Sequence, residues 1–284
     1  MGDGNTNFAK EVGNISQDSF SNLEENFHEY SGLIYDGAFS EHLVSAEKLG
    51  LTGNDIDENT AENKIREFIG NDKIKNVTRY GLSENAEIIV YSFLVETNKN
   101  NSISIAISKK GGHIVLMNSN RNVETQIIED TEAIQKVSEF LQSRGYNNMK
   151  ETYYLKQNGV MTLNYAYEQN GVQMYADLIK VKVALDDGEI LGIETSGYLN
   201  CHHERNIPTA NITIEQAKSK LNTNLEITSE GLAMIPTEWN TEIFCYEFEG
   251  RVKDIEFLAY INAETGEEQD ILIITNTPNG TLTE

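Results

Sequence analysis

The sequence predicts an α+β fold of three tandem units, each one helix packed on an antiparallel sheet of about four strands. Three observations carry this reading. An apolar run, a turn ending in glycine and a second apolar run occur three times: SISIAISKKGGHIVLM from Ser102 to Met117, VKVALDDGEILGIE from Val181 to Glu194, and LAYINAETGEEQDILIIT from Leu258 to Thr275. Glycine suits each turn because hairpin turns need positive φ, which other residues resist. A short helical pattern lies upstream of each copy. The copies recur at about 70–80 residues, beyond the roughly 20–50 residues of a solenoid repeat. Length alone favours about two domains, but internal self-similarity is the stronger signal. Units of this size bury little surface alone, so they are expected to pack in a rigid row. The expected divisions are an N-terminal helical segment and connector over residues 1–52, then units over residues 53–122, 123–206 and 207–284, the last with a C-terminal tail.

Met1 to Asn7 is polar and glycine-rich and reads as disordered. Phe20, Leu23, Phe27 and Tyr30 recur at steps of three and four and predict a helical face, with Phe8, Val12 and Ile15 before them. Leu33 to Ser45 reads as a connector with an Asp36-Gly37 turn. In unit one, Asp57 or Thr60 caps a helix carrying Ala61, Ile65, Phe68 and Ile69, and Gly70 ends it. Strands follow at Lys75 to Leu82 and Glu87 to Glu96, then the Ser102–Met117 hairpin.

Unit two opens at Asp130-Thr131. Its helix carries Ala133, Ile134, Val137, Phe140 and Leu141, and Gly145 ends it. The string Lys136-Val137-Ser138-Glu139-Phe140 matches Lys64-Ile65-Arg66-Glu67-Phe68 of the first helix. Strands are expected at Thr152 to Leu155, Val160 to Tyr167, Val172 to Leu185 (bent or broken) and Ile190 to Thr195. Asn158-Gly159 and Asn170-Gly171 are strong hairpin signals. Gly197 to Ala210 reads as a linker. In unit three, Thr213 and Gln216 form a capping box for a helix to Leu221. Strands follow at Leu232 to Ile235, Glu242 to Phe248 and Asp254 to Ile261, before the last hairpin. Asn276 to Glu284 reads as a frayed tail.

The chain carries 45 acidic and 22 basic residues, a formal charge of −23. That argues against binding nucleic acid through phosphates, which needs a basic face. Residues 207–284 hold 14 acidic and 4 basic side chains. They form either a solvated surface or a docking face for a basic partner. Cys201 and Cys245 allow at most one internal disulfide and leave the redox compartment open. No apolar run is long enough to span a bilayer. Met1 to Thr6 fits the loose N-myristoylation pattern, but a chain that begins partway through a longer protein is the stronger expectation.

The helix opening Thr213-Ile214-Glu215-Gln216-Ala217 and the turn Ile261-Asn262-Ala263-Glu264-Thr265-Gly266-Glu267 resemble PepSY domains. Glu25 to Leu43 (ENFHEYSGLIYDGAFSEHL) and Thr195 to Pro208 (TSGYLNCHHERNIP) resemble the YpeB family of germination proteins from spore-forming bacteria. This likeness covers nearly all of the chain from about Phe8. It implies a membrane anchor and further N-terminal region ahead of this segment, on the cortex side of the spore inner membrane. It also implies a partner, a spore cortex-lytic enzyme of the lytic transglycosylase type, with each protein needed for the other's presence in the dormant spore. No catalytic residues, metal or cofactor come with it. PepSY units have also been linked to protease inhibition.

Cys201-His202-His203-Glu204 holds zinc-ligand types. In an extended strand only Cys201 with His203, or His202 with Glu204, would face one ion. That is two ligands short, and His28, His42 and His113 stand in no ligand spacing, so a polar linker beside Arg205 is the expected role. A Cys201–His202 nucleophile pair fails because adjacent side chains point apart. Asp186, Asp187, Glu264 and Glu267 read as turn formers and solvated charge. Residues 262–266 lack the full ligand series of a calcium loop. Tyr153, Tyr154, Tyr165, Tyr167 and Tyr175 read as sheet packing beneath a helix, with a peptidoglycan- or partner-contacting patch as the alternative.

Overall fold

The computed structural model describes residues 47–284, apart from Asn85, Glu238, Asn240, Asp254, Pro278, Asn279, Glu284 and the side chains of residues 275–284. The expected helical segment and connector of residues 8–45 lie outside the described residues. Chain order gives α1 (Glu58–Ile69), β1 (Ile74–Ser83), β2 (Val90–Thr97), β3 (Ser102–Ser108) and β4 (Ile114–Ser119). Next come α2 (Asp130–Ser143), β5 (Met149–Gln157), β6 (Val160–Gln169), β7 (Val172–Ala184) and β8 (Ile190–Glu194). Then follow α3 (Ser196–Cys201), α4 (Ile214–Lys218), β9 (Glu226–Pro236), β10 (Glu242–Val252), β11 (Ile255–Asn262), β12 (Glu268–Thr277) and β13 (Gly280–Thr283). The molecule is α+β, with few helices on a large sheet. No helix among the described residues is long and apolar enough to cross a membrane.

The local signals act as their chemistry dictates. The Asp57 carboxylate accepts from the Thr60 N–H at 2.7 Å, and Gly70 leaves α1 at φ 99°. Thr213 and Gln216 form both bonds of the capping box. Asn158-Gly159 and Asn170-Gly171 take positive φ at all four residues, as two-residue hairpin turns require. Ala61 and Ile65 of α1 and Ala133, Val137 and Leu141 of α2 enter one apolar core with Phe93, Ile105, Met117, Leu163, Val181 and Ile193.

The strands differ from the expected arrangement of separate four-stranded sheets. All thirteen belong to one sheet in the order β1-β2-β3-β4-β8-β7-β6-β5-β13-β12-β11-β10-β9. β4 and β8 pair antiparallel, Leu116 opposite Glu194 and Asn118 opposite Gly192, so the first two groups of strands join through their last strands. β7 also runs parallel to β9, Val172 opposite Leu232 and Met174 opposite Met234, while β13 meets β5 at Gly280 and Leu155. These pairings close β5, β6, β7 and β9 to β13 into a ring of eight strands. The tail expected to fray thus supplies β13, because two strand edges stand ready to pair with it. β7 is broken as expected: Ala166 pairs with Leu178 but Tyr167 with Met174, leaving Tyr175, Ala176 and Asp177 out of register with β6.

Candidate functional site

The stretch from Thr195 to Pro208 begins as the helical turn α3 and only then becomes extended, so Cys201 closes a helix instead of lying in a strand. This disperses the Cys-His-His-Glu cluster. Cys201 is buried, and burial, then the charges of Asp177 and Glu242, push its thiol up to about 12, which disfavours the thiolate that a nucleophile or metal ligand needs. The His202 ring stacks on Tyr198 at 4.0 Å between centroids, meets Tyr167 edge-on, and donates through Nδ1 to Asp177 Oδ2 at 2.8 Å. His203 donates through Nδ1 to the Cys201 carbonyl, and Glu204 is exposed. Among the described residues no three Cys, His, Asp or Glu side chains converge on a metal position. Cys245 is likewise buried, and neither cysteine is in a disulfide.

The centre of this region is Arg205, with only 4 % of its side chain exposed. Nη1 and Nη2 donate to the two Asp177 oxygens at 2.9 and 2.7 Å, and Nε and Nη2 donate to the two Glu242 oxygens at 2.7 and 2.8 Å. The planar guanidinium suits such paired forks. Burial works against the charge, but the bonds from Asp177 and Glu242 outweigh it and hold the Arg205 pKa above its ordinary value. Gln169 clamps the Arg205 backbone, accepting from its N–H and donating to its carbonyl. Asp177 comes from the break in β7 and Glu242 opens β10, so Arg205 ties the linker to strands on both sides of it. The sequence reading noted Arg205 only as a neighbour of the histidines and missed Asp177 and Glu242. The available signal was an aspartate inside the apolar run of β7.

A second buried polar group lies inside the strand ring. The Tyr175 hydroxyl donates to Glu247 Oε2 at 2.7 Å, and Tyr175 and Tyr260 meet edge-on. Burial raises the Glu247 carboxyl above its ordinary value, against the lowering effect of the tyrosine hydroxyls.

The remaining candidates are structural. Arg121 reaches Asp186 at 2.8 Å, Asp187 at 3.0 Å and Glu189 at 3.5 Å, so the acids of this turn anchor the segment that leaves β4. The Asn262 side chain accepts from the N–H groups of Glu264 and Thr265, closing the last hairpin turn, and the Glu267 N–H donates to the Thr265 hydroxyl. His113 donates to the Thr52 carbonyl at 2.8 Å. The tyrosines part company. Tyr165 is buried and donates to the Ile134 carbonyl of α2, Tyr154 packs on the same core, Tyr167 lies against His202, and Tyr175 enters the ring. A contact patch built on Tyr165 and Tyr167 is thereby overturned, because Tyr165 is core.

Comparison with known proteins fixes the family. Residues 16–208 match the model described as YpeB sporulation, PepSY1 and PepSY2 domains. The chain belongs to the YpeB sporulation family. The sporulation protein YpeB of Bacillus subtilis (strain 168) is 31 % identical over 275 residues, covering 94 % of this chain and 60 % of that protein. That of Oceanobacillus iheyensis is 30 % identical over 222 residues, covering 77 % of this chain and 49 % of that protein. The chain thus spans only part of the length of these relatives. Among solved structures, the Bacillus megaterium YpeB C-terminal domain superposes with a TM-score of 0.72 at 29 % identity, covering 79 % of this chain and all of that one. Arg205 and Asp177 both fall inside the stretch that the family model matches.

Proposed function

We propose that this chain is a non-catalytic docking protein of the spore, built from three PepSY-like copies, that holds and restrains a cortex-lytic enzyme until germination. The third copy, residues 207–284, is the proposed docking face. The observation that carries this is a bare apolar strip. Ile271 and Ile273 on β12 lie on the same sheet face as Ala259, which packs beneath α4. α4 has five residues, where α1 has 12 and α2 has 14. At about 1.5 Å per residue it cannot cover four strands spaced about 4.8 Å apart. Ile255, Ile271 and Ile273 therefore stay 50 %, 46 % and 44 % exposed. An apolar strip in the most acidic third of the chain suits a partner with an apolar patch rimmed by basic residues.

The spore setting follows from the family, and the enzyme partner and the cortex side of the inner membrane from the likeness to its germination proteins. The polar clusters support the non-catalytic reading, since Arg205, Asp177 and His202 satisfy one another instead of facing an open cleft. Edge addition of a partner strand is left chiefly to β1, which register shifts at Ile74/Asn76 and Arg79/Gly81 distort.

The test is size-exclusion chromatography of the whole chain with the purified lytic enzyme, with cortex hydrolysis assayed on the same mixture. Co-elution and slowed hydrolysis, both lost in Ile271→Asp/Ile273→Asp, are expected. Separate elution of the unaltered chain would overturn direct docking. Co-elution that survives the double substitution would overturn the surface.

A further inference from the structure

The sheet face opposite α1 and α2 carries a second feature, independent of the apolar strip. Cross-strand partners in a sheet point to one side, so the register lays out two rows. One runs Tyr153, Asn164, Lys180, Glu194, Leu116 across β5, β6, β7, β8 and β4. The next runs Leu155, Thr162, Lys182, Gly192, Asn118, Ser104 across the same strands and β3. The residues between these rows, Leu163, Val181, Ile193, Met117 and Ile105, all enter the helix-side core. The polar rows therefore lie on the other face, where β5 to β7 turn into the strand ring.

Lys180 and Lys182 stand two residues apart on this face in a chain of net charge −23. Lys180 has only 11 % of its side chain exposed and lies 3.6 Å from Glu194, while Lys182 donates to Asn118 Oδ1 at 3.3 Å. The Lys182 stem lies over Gly192, where a Cβ would stand 3.3 Å from its Cδ, so glycine leaves the lysine room to lie flat. Burial lowers both lysines, the Glu194 charge works against that at both, and the Lys180 charge adds to the lowering at Lys182. Two ammonium groups that share one carboxylate keep a net positive charge, which a second anion would balance. Asn164 Oδ1, in the same row, is buried without a hydrogen-bond partner. A buried acceptor in that state asks for a donor. The adjoining Thr162 and Asn118 add hydroxyl and amide groups at the spacing of neighbouring strands.

We propose that this face, centred on Lys180 and Lys182 beside the strand ring, binds a saccharide bearing a carboxylate. The lysines take the carboxylate. The Asn118 and Thr162 side chains meet the hydroxyl and acetamido groups, and a sugar hydroxyl or amide supplies the donor on the Asn164 side. The hydroxyl and amide row favours a sugar acid over a peptide carboxylate, which offers few matching groups.

The test is titration of the whole chain with N-acetylmuramic acid, with N-acetylglucosamine as the sugar without the carboxylate and N-acetyl-D-alanine as the carboxylate without the sugar, followed by isothermal calorimetry or amide chemical shifts. Saturable binding of N-acetylmuramic acid, at least tenfold tighter than either control, is expected. Lys182→Gln and, separately, Asn118→Ala are expected to weaken it about tenfold and threefold, with unfolding midpoints that verify the fold. Equal binding of N-acetylglucosamine, equal binding of N-acetyl-D-alanine, or unchanged affinity in Lys182→Gln would each overturn the proposal, as would the absence of saturable binding. The apolar-strip substitutions should leave this titration unchanged, which separates its failure from failure of enzyme docking.

Discussion

Where the first helix-and-sheet segment meets the second, Phe68 packs edge-on against Phe140 at 6.0 Å and β4 pairs with β8. Where the second meets the third, Arg205 is forked between Asp177 and Glu242, and β7 breaks to pair with β9. The first junction joins like to like. Phe68 and Phe140 occupy matching places in the two helices' shared string, and β4 and β8 are each the closing strand of their hairpin. Equivalent residues touching one another is the signature of a two-fold relation, and such an interface needs only apolar surface. The second junction joins unlike parts, a strand break to a strand opening, and uses directional charge to set the angle. The difference teaches that a segment whose apolar edge is already spent must join its next neighbour elsewhere, where geometry has to be specified by bonds.

The largest effect is expected at the polar junction. Arg205→Met leaves Asp177, which is fully buried, without its main counter-charge. Breaking a buried pair from one side costs about 3–5 kcal/mol. Denaturant unfolding should show that loss, and adding Asp177→Asn should restore part of it, because the stranded charge is then gone. A loss below about 1 kcal/mol would mean that water reaches Asp177, and the junction would not be the tie described.

At the apolar junction, Ile65→Ala should cost about 2–5 kcal/mol through lost transfer energy and the cavity left behind. Ile65 is fully buried in the core that α1 shares with α2. The cost should be independent of pH, since the junction core is built from apolar side chains. A cost that varies with pH would blur the distinction between the two junctions.

How much of this was legible in the sequence follows the range of each signal. Asp57, Gly70, Asn158-Gly159 and the Thr213–Gln216 box act within a few residues, and each does what its chemistry predicts. The pairings β4–β8, β7–β9 and β13–β5 join residues far apart in the chain, and strand patterns carry no address for a distant partner. The polar tail looked frayed because the edges that order it belong to other segments. Asp177, a charge in an apolar strand, went unread, and its partner in the linker and the Glu242 beyond it lie 28 and 65 residues away along the chain. The Cys-His-His-Glu stretch was expected to be a polar linker beside Arg205, and only its start differs, since the turn of α3 carries it as far as Cys201.

The ring beside the polar junction adds a pH dependence. Glu247 is raised in the fold above its ordinary 4.5, so between the two values the folded state binds more protons than the unfolded one. Stability from this group is then greatest below about 4.5 and falls as pH rises through the folded value. Glu247→Gln keeps the shape and an acceptor for Tyr175 but removes the titration. The difference in unfolding free energy between variant and parent should grow in the variant's favour from acid to neutral pH. A constant difference would show that Glu247 ionises inside the ring as it does in water.

The smallest effect sets one arginine against another. Arg144 serves the apolar junction as Arg205 serves the polar one, but on its surface. Its guanidinium lies 4.5 Å from the Phe68 ring centroid and 5.5 Å from that of Phe140, and Nη2 donates to the Phe68 carbonyl at 2.8 Å. Each contact is exposed, where a cation over an aromatic face is worth about 0.5–1 kcal/mol. Arg144→Ala should therefore cost no more than about 1 kcal/mol, and Arg144→Lys less, because an ammonium keeps the attraction to the ring but loses the flat stack. Unfolding of both variants beside Arg205→Met measures the contrast directly. If Arg144→Ala cost as much as Arg205→Met, the aromatic pair would depend on the cation to stay closed, and the first junction would prove as directional as the second. If it cost little, burial of Phe68 and Phe140 against each other suffices, and the arginine only caps a seam that apolar packing already holds.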